Sequence, residues 1–101
     1  MVQNELVKGE WTDELVYAIR AVEWARCGIR VNAIAPTWVR TDFIKSMLQS
    51  PEVIAEIERI TPMGRLAEPE EMAGAALFLA THASDMVTGH ILAVDGGYLA
   101  Q

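Results

Sequence analysis

The chain holds a single thiol, Cys27, so an internal disulfide framework is excluded and a reducing compartment is expected. Its two histidines, His82 and His90, stand apart in sequence, whereas a metal site needs three or four converging ligands, so no metal centre is predicted. Basic residues are scarce as well. Eight Lys and Arg against fourteen Asp and Glu give a net charge of −6, which argues against a nucleic-acid or anionic-membrane partner. The longest apolar run, residues 72–80, falls well short of the ~20 residues that span a bilayer. No basic stretch precedes an apolar one in the opening Met-Val-Gln-Asn-Glu-Leu, which predicts no secretory leader and a cytoplasmic chain. There is no Gly-x-Ser-x-Gly elbow, phosphate loop or Gly-x-Gly-x-x-Gly turn.

What the chain does have is one informative stretch. At 101 residues it is one domain at most. In residues 28–41, Ile29, Val31, Ala33 and Ala35 alternate with Arg30, Asn32 and Ile34, between Gly28 and Pro36. This predicts a short buried strand over residues 28–35. A second apolar run at residues 90–94 predicts another strand, and the helical patterns between them make the pair a parallel crossover unit. Ligands of open α/β sheets bind beyond the carboxyl ends of their strands, which directs attention to the loop after Pro36.

The remaining segments read as helices and loops. Residues 1–12, with Gly9 among them, predict an irregular N-terminal segment. Thr12 or Asp13 can cap a helix running to about Arg26, with Leu15, Ala18, Ile19, Val22 and Ala25 as its stripe and Gly28 as its terminator. Thr41-Asp42 can start a short helix to about Leu48. Ser50-Pro51-Glu52 opens a clearer one to Ile60. A further helix begins near Pro69 and lasts to about His82, where Gly74 costs ~1 kcal/mol against alanine and so implies close packing. The fold class expected is α/β, with two parallel strands and about four helices.

Several residues allow two readings. His82 suits the end of a helix dipole, and His90 at a strand start is structural. Asp95-Gly96-Gly97 could bind an anion, but a tight turn needing positive φ is the favoured reading. Trp24 belongs to the apolar helix. Trp38, in the strand-end loop, either packs or contacts a ligand.

Six motifs fall in order at close spacing: Ala21-Val22-Glu23-Trp24-Ala25, Gly28 to Pro36, Arg40-Thr41, Pro62-Met63-Gly64-Arg65, Pro69-Glu70-Glu71 and Asp95-Gly96-Gly97. Together they resemble the C-terminal portion of short-chain dehydrogenases/reductases, especially bacterial enzymes acting on 3-oxoacyl thioesters or sugar acids. The resemblance implies a Rossmann-like domain, of which residues 13–101 would be a part carrying the sixth and seventh strands. It implies NAD or NADP as the family cofactor. In the family pattern Pro-Gly-x-x-x-Thr, the proline meets the nicotinamide and the threonine bonds its carboxamide or pyrophosphate; Pro36 and Thr41 match these positions. Val39 matches a position whose backbone meets the carboxamide. Thr37 stands where the family has glycine, which predicts a stiffer loop. Residues 41–60 resemble the substrate-binding lid.

The catalytic Tyr-x-x-x-Lys of the family falls, by counting back, on Leu6 and Glu10. Leucine cannot transfer a proton, and a carboxylate would raise a phenol's pKa where lysine lowers it. Tyr17 has no lysine four residues on. No catalytic residue is therefore assigned, and the cofactor contacts at Pro36, Val39 and Thr41 are expected to be vestigial. The expectation is a truncated oxidoreductase-like chain, inactive and binding no cofactor alone. The alternatives are a non-catalytic homo-oligomerisation module, or a half-enzyme complemented by a dehydrogenase-like partner chain.

Overall fold

The computed structural model describes residues 8–101, with side chains from Val16 onward. It contains α1 (Lys8–Ala25), β1 (Ala33–Pro36), α2 (Pro51–Ile60), α3 (Pro69–Ala80) and β2 (Ile91–Val94). The strands pair in parallel, from Ala33 opposite Ile91 to Pro36 opposite Val94, with α2 and α3 in the crossover. α3 packs against both strands. The α/β class and the parallel pair are as expected.

Helix α1 begins earlier than the sequence implied. Lys8 to Thr12 are helical, which corrects the irregular segment over residues 1–12 for that part; residues 1–7 lie outside the described range. A single Gly9 lowers helix propensity without stopping a helix. The C-terminus behaves as expected. The Ile29 amide donates to the Trp24 carbonyl at 3.2 Å and the Gly28 amide to Ala25 at 3.0 Å. Gly28 sits at φ 76°, so the two crossed bonds around a left-handed residue form a Schellman stop.

The first strand is shorter than residues 28–35, because side chains replace its ladder. The Val31 amide donates to the Thr88 hydroxyl at 3.1 Å. Asn32 donates to the Val87 carbonyl at 2.8 Å and accepts from the His90 amide at 3.1 Å. Regular pairing starts only at Ala33, where the amide donates to His90 at 3.0 Å. Arg30 reaches past the strand to the end of α3. Its guanidinium donates to the carbonyls of Leu79 at 3.0 Å and Thr81 at 3.3 Å and to the Ser84 hydroxyl at 2.8 Å. The Leu79 carbonyl is one that the end of a helix leaves unsatisfied. His82 accordingly lies outside α3, in a 3-10 turn with Ser84, where it pairs with Asp85 at 3.1 Å.

The expected fourth helix is instead two 3-10 turns, Asp42–Ile44 and Met47–Gln49. Neither Thr41 nor Ser46 caps its turn with a side-chain hydrogen bond, so nothing nucleates a longer helix. Ser50 does cap α2, accepting from the Val53 amide at 3.4 Å with Pro51 at the first position.

The packed interior is small. Among the described residues, the buried apolar side chains are Ala21, Ile57 and Leu66. Val22 remains 76% exposed and Leu77 65% exposed. The radius of gyration is 16.0 Å, against about 13 Å for a compact chain of this length. Outside its own helix, Gly74 has no described heavy atom within 4 Å of where a Cβ would sit, so the close packing expected there is not made by the described residues.

Candidate cofactor-side loop

β1 and β2 end side by side at Pro36 and Val94, and both chains turn away there. The resulting groove, about 430 Å³, is lined by Ala35, Pro36, Thr37, Trp38, Asp95, Tyr98 and Leu99. It sits beyond the carboxyl ends of parallel strands, where sheets of this kind take ligands.

The turn after β2 is built by Asp95. One carboxylate oxygen accepts from the Gly97 amide and the other from the Leu99 amide, each at 3.0 Å. Gly96 and Gly97 adopt φ 63° and 93°, so the tight-turn reading of this motif holds and the carboxylate is engaged by its own backbone. The turn places Tyr98 and Leu99 at the groove. Neither was singled out from sequence, although an aromatic residue directly after a strand-end Gly-Gly turn was the available signal.

The loop after β1 leaves the sheet and makes a separate parallel bridge, Val39 opposite Ala67. The Ala67 amide donates to the Trp38 carbonyl, and the Arg40 amide donates to the Ala67 carbonyl, both at 2.9 Å. In such a bridge the central residue's own amide and carbonyl point the other way. Those of Val39 have no protein partner among the described residues. Thr41 is exposed, extended at φ −129° and ψ 165°, and its hydroxyl caps nothing.

Pro36, Thr37 and Trp38 thus line the groove, while Val39 and Thr41 lie farther along the loop. Thr37 needs no glycine-like backbone, since no non-glycine residue among those described has positive φ. Trp38 also faces α2, sharing an apolar pocket of about 280 Å³ with Val53, Ile57 and Ile60; it is wall to both the groove and the following helix. Among the described residues no group of three His, Cys, Asp or Glu could hold a metal, and no helix is long and apolar enough to cross a membrane.

A parallel strand pair joined by a helical crossover, with a groove beyond its strand ends, is the architecture of part of an open α/β sheet. The family model described as enoyl-(acyl carrier protein) reductase matches residues 14–99. The chain is 55% identical over 78 residues to the galactitol 2-dehydrogenase (L-tagatose-forming) of Cereibacter sphaeroides, covering 77% of this chain and 31% of that protein. It is 46% identical over 81 residues to the 2-dehydro-3-deoxy-D-gluconate 5-dehydrogenase of Bacillus subtilis, covering 80% of this chain and 32% of that one. Its fold superposes on a putative 2-deoxy-D-gluconate 3-dehydrogenase from Agrobacterium tumefaciens with bound NADP, with TM-score 0.82 and 41% identity, over 87% of this chain and 36% of the other. A gluconate 5-dehydrogenase from Burkholderia cenocepacia in complex with NADP and tartrate gives TM-score 0.81 at 34% identity, over 87% and 34%. The chain belongs to the short-chain dehydrogenase/reductase family, and it spans about a third of the length of the curated relatives it matches.

Proposed function

We propose that this chain is the cofactor-loop and substrate-lid portion of an NAD(P)-dependent oxidoreductase, and that these 101 residues alone do not turn over. The observation that carries the reading is the Val39–Ala67 bridge, which leaves an amide and a carbonyl of Val39 side by side without partners among the described residues. That pair matches the donor and acceptor of a carboxamide. Pro36 at the strand end offers an apolar surface to a flat ring, and the free Thr41 hydroxyl supplies a further hydrogen bond, so the residues present fit a nicotinamide group. A bound nicotinamide would accept or deliver hydride; this chain's part is to orient it and to wall the site with Trp38. The relatives named for galactitol and gluconate derivatives support a polyol or sugar-acid alcohol as the substrate class of the complete enzyme.

The missing chemistry is the proton transfer. The sequence has no Tyr-x-x-x-Lys pair, and Leu6 and Glu10 occupy the matching positions. The test is a turnover assay of the chain with NAD or NADP and galactitol or gluconate, following reduced-nicotinamide absorbance. No turnover is expected, and saturable turnover abolished by changing a residue of this chain would overturn the reading.

A second reading rests on the thin interior and the uncovered faces of α1 and α3. Apolar helix surface on that scale is covered by association, and we expect a homo-oligomer. Sedimentation at micromolar concentration checks it, and a stable folded monomer would contradict it.

A further inference from the structure

The β1 ladder ends at Pro36, and the loop that follows has its own anchor. Among the described residues, its long-range ties are the two Ala67 bonds and the Arg40 Nε contact to Glu68 Oε2 at 3.1 Å. A cavity of about 90 Å³ lies beside the loop's Thr37, between it and Glu71, Met72 and Val94, and Trp38 faces α2 across an open pocket of about 280 Å³. The loop's long-range polar ties among the described residues all run to Ala67 and Glu68.

Those residues are held in turn by one carboxylate. Both oxygens of Glu71 accept from the Arg65 guanidinium, each at 2.8 Å. Its Oε1 also accepts from the Glu68 amide at 2.8 Å. Arg65 completes the ring by donating to the Leu66 carbonyl at 3.1 Å, and the Leu66 side chain is buried. Glu71 thus grips both flanks of Leu66-Ala67, and Ala67 grips the loop.

We propose that Glu71 is a positioning residue for the strand-end loop. Acting through Arg65 and the Leu66-Ala67 backbone, it sets where the free amide and carbonyl of Val39 stand relative to the end of β1. The functional meaning rests on the cofactor reading above, but the coupling itself does not. A fork between a planar guanidinium and a carboxylate fixes direction as well as distance, which a lone helix cap would not do.

Amide hydrogen exchange of the full chain, followed by NMR, tests this. Arg65→Met removes the fork and leaves the Glu71 bond to the Glu68 amide in place. The Arg40 and Ala67 amides are expected to exchange roughly three- to ten-fold faster, while amides of the β1–β2 ladder and of mid-α3 keep their rates. Glu71→Ala should loosen the same two amides at least as much, and Glu71→Gln, which keeps one acceptor oxygen and replaces the other with a donor NH2, should fall between Glu71→Ala and the parent chain. Unchanged Arg40 and Ala67 rates in Arg65→Met and Glu71→Ala would overturn the proposal. So would a rise shared equally by the sheet and α3. The readout involves no cofactor, so its failure removes the coupling while the turnover assay decides the loop's role.

Discussion

The Tyr17 hydroxyl donates to the His90 carbonyl at 2.6 Å, and that same carbonyl accepts the Ala33 amide that starts the sheet. One oxygen therefore joins α1, β1 and the entry to β2. Burial, outweighing the nearby Ala33 amide, raises the Tyr17 pKa above its usual value of 10.0. A group whose folded pKa is raised gives stability that is complete below the unfolded pKa and is lost as pH rises through the folded one. Denaturation followed across the alkaline range should show the parent chain losing stability above about pH 10 relative to Tyr17→Phe. At neutral pH that variant should cost about 0.5–1 kcal/mol.

Arg30 ties the first strand to the end of α3 and the following turn. Replacing it with leucine removes its hydrogen bonds to Leu79, Thr81 and Ser84 and leaves the Leu79 carbonyl without a partner among the described residues, while the 1% exposed Ser84 keeps its hydroxyl bond to the Thr81 carbonyl. A loss of about 2–3 kcal/mol is expected from the urea midpoint. Arg30→Lys should recover only part, since one ammonium cannot reproduce a fork reaching several acceptors.

Two glycines should respond in opposite directions. Gly96 lies at φ 63°, and a Cβ there would stand 2.9 Å from Thr61 Cγ2. Gly96→Ala is expected to cost about 1–3 kcal/mol. Gly74 is helical and open, so Gly74→Ala should stabilise the chain by about 0.5–1 kcal/mol. If α3 associates through that face, the same change should also weaken the oligomer in sedimentation.

Thr61 is 2% exposed, and its hydroxyl has no hydrogen-bond partner among the described residues. The unpaired hydroxyl carries a burial cost while the methyl packs near Gly96. Thr61→Val keeps the shape and removes the cost, so a rise in stability of up to about 1–2 kcal/mol is expected, whereas Thr61→Ala should destabilise. Thermal unfolding of the two variants separates them.

Much of this was legible in the sequence, for physical reasons that differ by residue. Gly28 after Arg26-Cys27 and Pro51 after Ser50 mark helix ends through local backbone chemistry, so both were readable. The strand pair was readable as apolar alternation, but its extent was not. Asn32 and Thr88 substitute side-chain bonds for part of a ladder, and the alternation of Ile29 and Val31 looks the same either way. The start of α1 at Lys8 was hidden by Gly9, a weak local signal overridden by the rest of the helix. Pro36, Val39 and Thr41 were singled out by resemblance, and of these Pro36 lines the groove. Tyr98, Leu99 and the Arg65–Glu71 fork were not, because their roles depend on contacts between segments far apart in the chain.

The central claim is that residues 36–41 form a nicotinamide-side contact that these 101 residues cannot use alone. Calorimetric titration of the chain with NADH and with NADPH tests it most directly. No saturable binding in the micromolar range is expected from either, whereas a saturable micromolar Kd for one of them would contradict the account.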